Sequence, residues 1–133
     1  MVEIHAYSKA ASGGKQLSAH FKVREFACGD GSDAVLVASR LVMVLETIRA
    51  HFDAPVVIHS AYRTPQYNAK VNGAAHSQHC YGMAADIVVK GQTPAAVAAF
   101  ARTLMPDWGG VGVYVKKGFT HIDVREKRSD WTG

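Results

Sequence analysis

The groups able to do chemistry concentrate in Ser77-Gln78-His79-Cys80-Tyr81-Gly82-Met83-Ala84-Ala85-Asp86 and, further along, in His121-Ile122-Asp123. Imidazole nitrogen and carboxylate oxygen are donors that zinc prefers, and a catalytic zinc site takes three protein ligands and keeps a position for water. His79, Asp86 and His121 supply one such set. A histidine and an aspartate set among apolar strand residues also need a reason, because burying either unpaired is costly. Spacing alone leaves the bland alternative open. The chain has seven histidines, and a histidine in a loop is commonly just solvated.

Such groups need elements that aim them. Residues 82–89 are small and β-branched and read as a strand. Residues 111–115 and 119–124 read as two more, joined at Lys116-Lys117-Gly118 into an antiparallel hairpin. Side chains alternate along a strand, so Asp86 shares a face with Ala84 and Val88, and His121 shares one with Phe119, Asp123 and Arg125. If these strands are neighbours, Asp86 and His121 face one ion. His79 then reaches in from the preceding loop, and Gly82 and Ala84 leave space around the ion.

Helices frame this cluster. Leu41, Val42, Leu45, Ile48 and Phe52 recur at helical steps, with Ser39 as an N-cap and Pro55 past the end. Thr64-Pro65 opens a short helix to about Val71, and Thr93-Pro94 opens another with the stripe Val97, Phe100, Ala101 and Leu104. Val56-Val57-Ile58 reads as a buried strand, residues 21–26 as a short strand, and 34–37 as extended. Residues 29–33 form a turn cluster, 72–81 are irregular, and the tail from 126 is polar with one Trp131. Helices early and midway with strands late make an α+β class, a small and mainly antiparallel sheet flanked by helices, in a single domain over 1–133.

Composition narrows the partners. The 133 residues carry a net charge of +4 with no tight basic run, so nucleic acid is not an expected partner. No stretch approaches the about 20 apolar residues of a membrane span. The N-terminus lacks a basic start followed by an apolar run, so a soluble, cytoplasmically made monomer is expected. Cys28 and Cys80 are too few for a disulfide framework and read as free thiols, Cys80 being a redox weak point beside a ligand.

The string from Ser77 to Asp86 fits Ser-x-His-x-x-Gly-x-Ala-x-Asp at every fixed position. That motif belongs to the zinc D-Ala-D-Ala carboxypeptidases, peptidase family M15. Ser60-Ala61-Tyr62-Arg63 with Asn68 resembles the family's Ser-Gly-Tyr-Arg…Asn segment. Gly110-Val111-Gly112-Val113-Tyr114 and Phe119 to Arg125 resemble its closing hairpin. The resemblance covers about residues 18–131. It implies a fold shared with the Hedgehog signalling domain, Zn2+ on His79, Asp86 and His121, and Arg63 steadying a substrate carbonyl or carboxylate. It also implies Ser77 orienting a ligand. Beside the matched residues, Ser60 and Tyr62 are candidates for the pocket wall, with core packing as the alternative for Tyr62, and His76 is a candidate substrate contact, with a solvated loop position as the alternative. The implied substrates are peptidoglycan stem peptides with D-alanine bonds, and the short form resembles a phage endolysin that acts on the wall after release.

Two departures concern the base. Many members carry Glu or His three residues before the last ligand, where this chain has Gly118. Related enzymes place a base two residues before it, where this chain has Phe119. Asp123 is the remaining candidate, with its Cβ about 6–7 Å from that of His121. An equal alternative is that Asp123 orients a ligand or Arg63. The missing base keeps a second function open, a zinc-binding interaction module without catalysis.

Overall fold

Alternation along the late strands decides the architecture. The computed structural model describes residues 2–133. In chain order the elements are β1 (Ile4–Ser8), α1 (Lys9–Ser12), β2 (Ala34–Ala38), α2 (Ser39–Phe52), β3 (Val56–Ser60), α3 (Pro65–Lys70), β4 (Ala84–Val89), α4 (Pro94–Leu104), β5 (Gly110–Tyr114), β6 (Phe119–Asp123) and β7 (Ser129–Thr132). Strands β1 and β2 form an antiparallel pair. The other five form one sheet in the order β3-β4-β6-β5-β7, antiparallel except for the parallel pair β5 and β7. This is the expected small α+β fold.

Ala85, Ile87 and Val89 of β4, Ile122 of β6 and Val111 of β5 join one buried cluster with Leu41, Leu45 and Ile48 of α2 and Val97 and Ala101 of α4. Each fully buried Leu or Ile stabilises by about 2 kcal/mol relative to exposure. Thr120, on the same side of β6, donates its hydroxyl to Pro94 O at 2.9 Å and ties α4 to the sheet. With alternate residues committed to this core, Asp86 and His121 are turned to the opposite face. Helix starts follow the expected chemistry, since Thr64 and Thr93 accept from the third residues of α3 and α4 at 3.2 and 3.1 Å.

Several expectations are corrected. Residues 21–26 are not a strand. A bridge pairs Gln16 with Lys22, and a 3-10 turn follows over Val23–Phe26. The Lys22 N–H donates to Glu25 Oε2 at 2.6 Å, and the turn lets Phe21, Val23 and Phe26 all enter the core. Ser39 is not a cap; α2 begins at Ser39 itself, and its hydroxyl points to Glu3 O. The 56–58 run is an edge strand, with β4 as its one sheet neighbour among the described residues, Val56 buried and Val57 half exposed. The polar tail contains β7, and the N-terminus contains β1. No helix among the described residues is long and apolar enough to cross a membrane.

Candidate metal centre

Strand register builds the site. Asp86 on β4 lies directly opposite His121 on β6, and His121 lies opposite Gly112 on β5, which pairs with Trp131 on β7. His79 comes from a single 3-10 turn, Gln78–Tyr81, that enters β4. Ser77 caps this turn, its Oγ accepting the His79 N–H at 3.2 Å, so it fixes the ligand's backbone rather than its ring. Gly82 does not clear space for an ion. It lets β2 approach, since a Cβ there would stand 2.5 Å from Leu36 O.

The three side chains converge, with one donor atom from each within 4.8 Å of the others. Asp86 Oδ1 lies 2.9 Å from His121 Nδ1 and 3.3 Å from His79 Nε2. Tetrahedral coordination at about 2.0–2.1 Å spaces neighbouring donors by about 3.3 Å, so little movement is needed to seat an ion. The tautomers fit as well. His79 Nδ1 stands 2.7 Å from Ala61 O, which can only accept, so Nδ1 carries the proton and Nε2 presents its lone pair. His121 Nε2 stands 2.8 Å from Asp123 Oδ2, which leaves Nδ1 for an ion. The donor set therefore suits a divalent ion such as zinc.

Charge is arranged to match. Burial raises the Asp86 carboxyl, but hydrogen bonds and charge from His121 and His79 reverse this and hold it well below the usual carboxylate range. Burial lowers His121, and its bonds to Asp123 and Asp86 outweigh that, so the net shift is upward. Both ring nitrogens of His121 thus face carboxylate oxygens, at 2.9 Å to Asp86 Oδ1 and 2.8 Å to Asp123 Oδ2, an arrangement that favours the protonated ring.

Asp123 is fully buried, and its oxygens accept five hydrogen bonds. Oδ1 takes Gly110 N at 3.0 Å, Arg125 N at 3.1 Å and Arg125 Nε at 2.8 Å, and Oδ2 takes His121 Nε2 at 2.8 Å and Arg125 Nη2 at 2.7 Å. Burial raises this carboxyl too, and Arg125 and His121 drive it well below its usual range. Of the two roles open to it, the structure displays the ligand-orienting contact. It lies behind the His121 ring, away from Asp86, and its guanidinium partner is Arg125, not Arg63. Gly110 makes the arrangement possible, since a Cβ there would stand 2.2 Å from Asp123 Oδ2.

The centre opens into a cleft of about 400 Å³. One wall carries Arg63, whose Nη2 reaches Asp86 Oδ2 at 3.4 Å while Ser60 Oγ and Asn68 Oδ1 accept its other N–H groups at 3.1 and 3.3 Å. Asn68 also donates to Ala74 O at 2.8 Å, which closes the loop behind that wall. His76 is exposed on the same loop and lines the cleft. Tyr62 does not line it; the side chain is buried, and burial raises its phenol, with both cysteines nearby. The opposite wall carries Tyr114, Arg125 and Trp131. Among the described residues that line the cleft, Asp86 is the only carboxylate, against Arg63, Lys117 and Arg125.

Sequence reasoning missed the Ala61 carbonyl and the Arg125 clamp, whereas Trp131, open to flanking the cleft or packing under it, lines the cleft. Backbone partners leave no residue-type signal. Arg125 was visible as a strand-face neighbour of Asp123, and Gly110 and Gly112, two apart on one face, marked where large groups would lie over β5.

A family described as Peptidase M15 matches residues 12–123. Among curated proteins, none matches the chain significantly.

Proposed function

The chain belongs to the peptidase M15 family, and on that premise we propose that it hydrolyses D-alanine-containing peptide bonds of bacterial peptidoglycan with one zinc ion. The observation that carries this reading is the convergence of His79 Nε2, Asp86 Oδ1 and His121 Nδ1 at the floor of an open cleft. Three ligands with one side open is the pattern of a catalytic site, because a structural site closes with four. When bound, the ion polarises a carbonyl and makes water acidic enough to attack near neutral pH.

The chain's own residues do the rest. Ala61 O and Asp123 fix the two imidazoles in ligating tautomers. Arg63 stands beside Asp86 where it can hold a substrate carbonyl or terminal carboxylate. The cationic walls attract peptides that carry free carboxylates, as stem peptides do. Ser60 steadies Arg63, and His76 reaches substrate from the loop. Under this reading the protein works at the cell wall.

A second reading, a zinc-binding module without turnover, is favoured by one observation, the lack of a free carboxylate on the cleft walls among the described residues. The test is mass spectrometry of purified peptidoglycan treated with protein, with and without added zinc and a chelator. Zinc-dependent release of D-alanine or stem-peptide fragments supports the peptidase. Bound zinc without products from several wall chemistries supports the module.

A further inference from the structure

The β7 side of the cleft holds a hydroxyl that the peptidase reading has not used. Tyr114 stands at the end of β5, on the same face as Gly112, with its ring stacked on Phe119 at 4.5 Å between centroids. Its Oη accepts the Trp131 indole N–H at 2.9 Å. Trp131 lies over the metal centre, its ring centroid 5.0 Å from that of His121, with the Arg125 guanidinium carbon 5.2 Å from the Trp131 ring centroid. This is possible because Gly112 has no side chain; a Cβ there would stand 2.5 Å from Trp131 Nε1. So β7 delivers an indole whose N–H fills one lone pair of Tyr114. Among the described residues, no acceptor takes the Tyr114 proton.

A phenol so held has its oxygen fixed and its proton directed elsewhere, and the side chain lines the cleft. We propose that Tyr114 is a substrate-contacting donor, giving its hydroxyl hydrogen bond to the carbonyl oxygen of the bound peptide across the cleft from Arg63. The proton stays on the tyrosine throughout. Charge builds on that oxygen during attack, so the bond strengthens as the reaction proceeds. Trp131 is a positioning residue for Tyr114. The inference rests on the peptidase reading and names a residue that neither the family match nor the metal ligands identify.

The test uses zinc-loaded protein. Tyr114→Phe keeps the stack on Phe119 and deletes only the hydroxyl; Trp131→Phe keeps a ring and deletes the N–H. Turnover is followed with an N-acetylated peptide ending in D-Ala-D-Ala. Calorimetry measures binding of its phosphinate analogue, whose tetrahedral anion mimics the reacting centre. Tyr114→Phe is expected to lower kcat/KM by roughly 10- to 100-fold, mostly in kcat, with melting temperature and zinc content unchanged. Affinity for the phosphinate falls by a similar factor. Trp131→Phe shows a smaller loss, and the double variant loses less than the product of the two. If the wild type turns over and Tyr114→Phe stays within twofold in kcat/KM and phosphinate affinity, this inference is overturned and the peptidase reading stands. If the wild type binds the phosphinate without turnover, the affinity comparison alone decides. If zinc-loaded wild type neither cleaves nor binds, both readings fall.

Discussion

Replacing Asp123 by Asn separates an orienting role from a proton-accepting one. The substitution preserves size and removes charge. The five groups that Asp123 accepts from are all donors. If the Asn oxygen takes the place of Oδ1, its NH2 faces both His121 Nε2–H and Arg125 Nη2, donor against donor. Each unmatched buried donor costs about 1–3 kcal/mol, and breaking a buried ion pair costs about 3–5 kcal/mol. Arg125 is half-buried and keeps some water, so the lower end applies, a loss of about 3 kcal/mol in the metal-free protein. His121 can relieve one clash by giving up its Nε2 proton and keeping one on Nδ1, the atom meant for the ion, and that weakens zinc about 10- to 100-fold. Urea denaturation with a chelator reads the first quantity, and competition with a chromophoric chelator reads the second. At saturating zinc, turnover falls by less than zinc affinity does. A variant with wild-type stability and zinc affinity but no turnover would refute this reasoning and restore Asp123 as the base.

Three further perturbations follow from the same geometry. The folded pKa of His121 lies above its ordinary 6.5, so its contribution to metal-free stability is complete below 6.5 and is lost as pH rises through the folded value. Asp86 and Asp123 are shifted down from 3.8, so theirs is present above 3.8 and is lost as pH falls through the folded values. Zinc also competes with the His121 proton. Scanning calorimetry should therefore find a larger zinc-induced rise in melting temperature at pH 8 than at pH 6, and an equal rise at both would contradict the protonated ring. Gly112→Ala puts a Cβ 2.5 Å from Trp131 Nε1; a loss of about 1–3 kcal/mol and altered tryptophan fluorescence are expected, with zinc retained. Gly73→Ala puts a Cβ 1.9 Å from Asn68 Oδ1; it should cost about 2 kcal/mol by urea denaturation and raise KM, because Asn68 holds both the loop and Arg63.

The meeting of Asp86 and His121 was legible because their types are rare at buried strand positions and their period-two placement predicts a shared face, which the Asp86–His121 register displays. The hairpin and the helices that begin at Thr64 and Thr93 were legible for the same local reasons. What stayed hidden depends on contacts between distant segments. Val56-Val57-Ile58 has the composition of an inner strand, and only the neighbour it lacks makes it an edge. Residues 21–26 alternate like a strand, yet one Glu25 bond folds them into a turn. Strand β7 carries a single large apolar side chain, and its parallel partner lies well back in the chain. Asp123 and Arg125 were visible as residues, but their pairing required knowing that Gly110 leaves the carboxylate a backbone donor.

The order β3-β4-β6-β5-β7 sets Asp86 and His121 on strands flanked on both sides by other strands. Their backbones separate only when the sheet itself opens, an event as rare as global unfolding, so hydrogen exchange at these amides runs on the slowest clock of the fold. The loop around His76 and the hairpin tip at Lys116 to Gly118 are solvent-exposed and closed by local contacts. They answer to a faster clock. Substitutions at that rim can retune which peptide enters without disturbing the slow machinery beneath, so selectivity and metal retention are free to evolve on separate tracks.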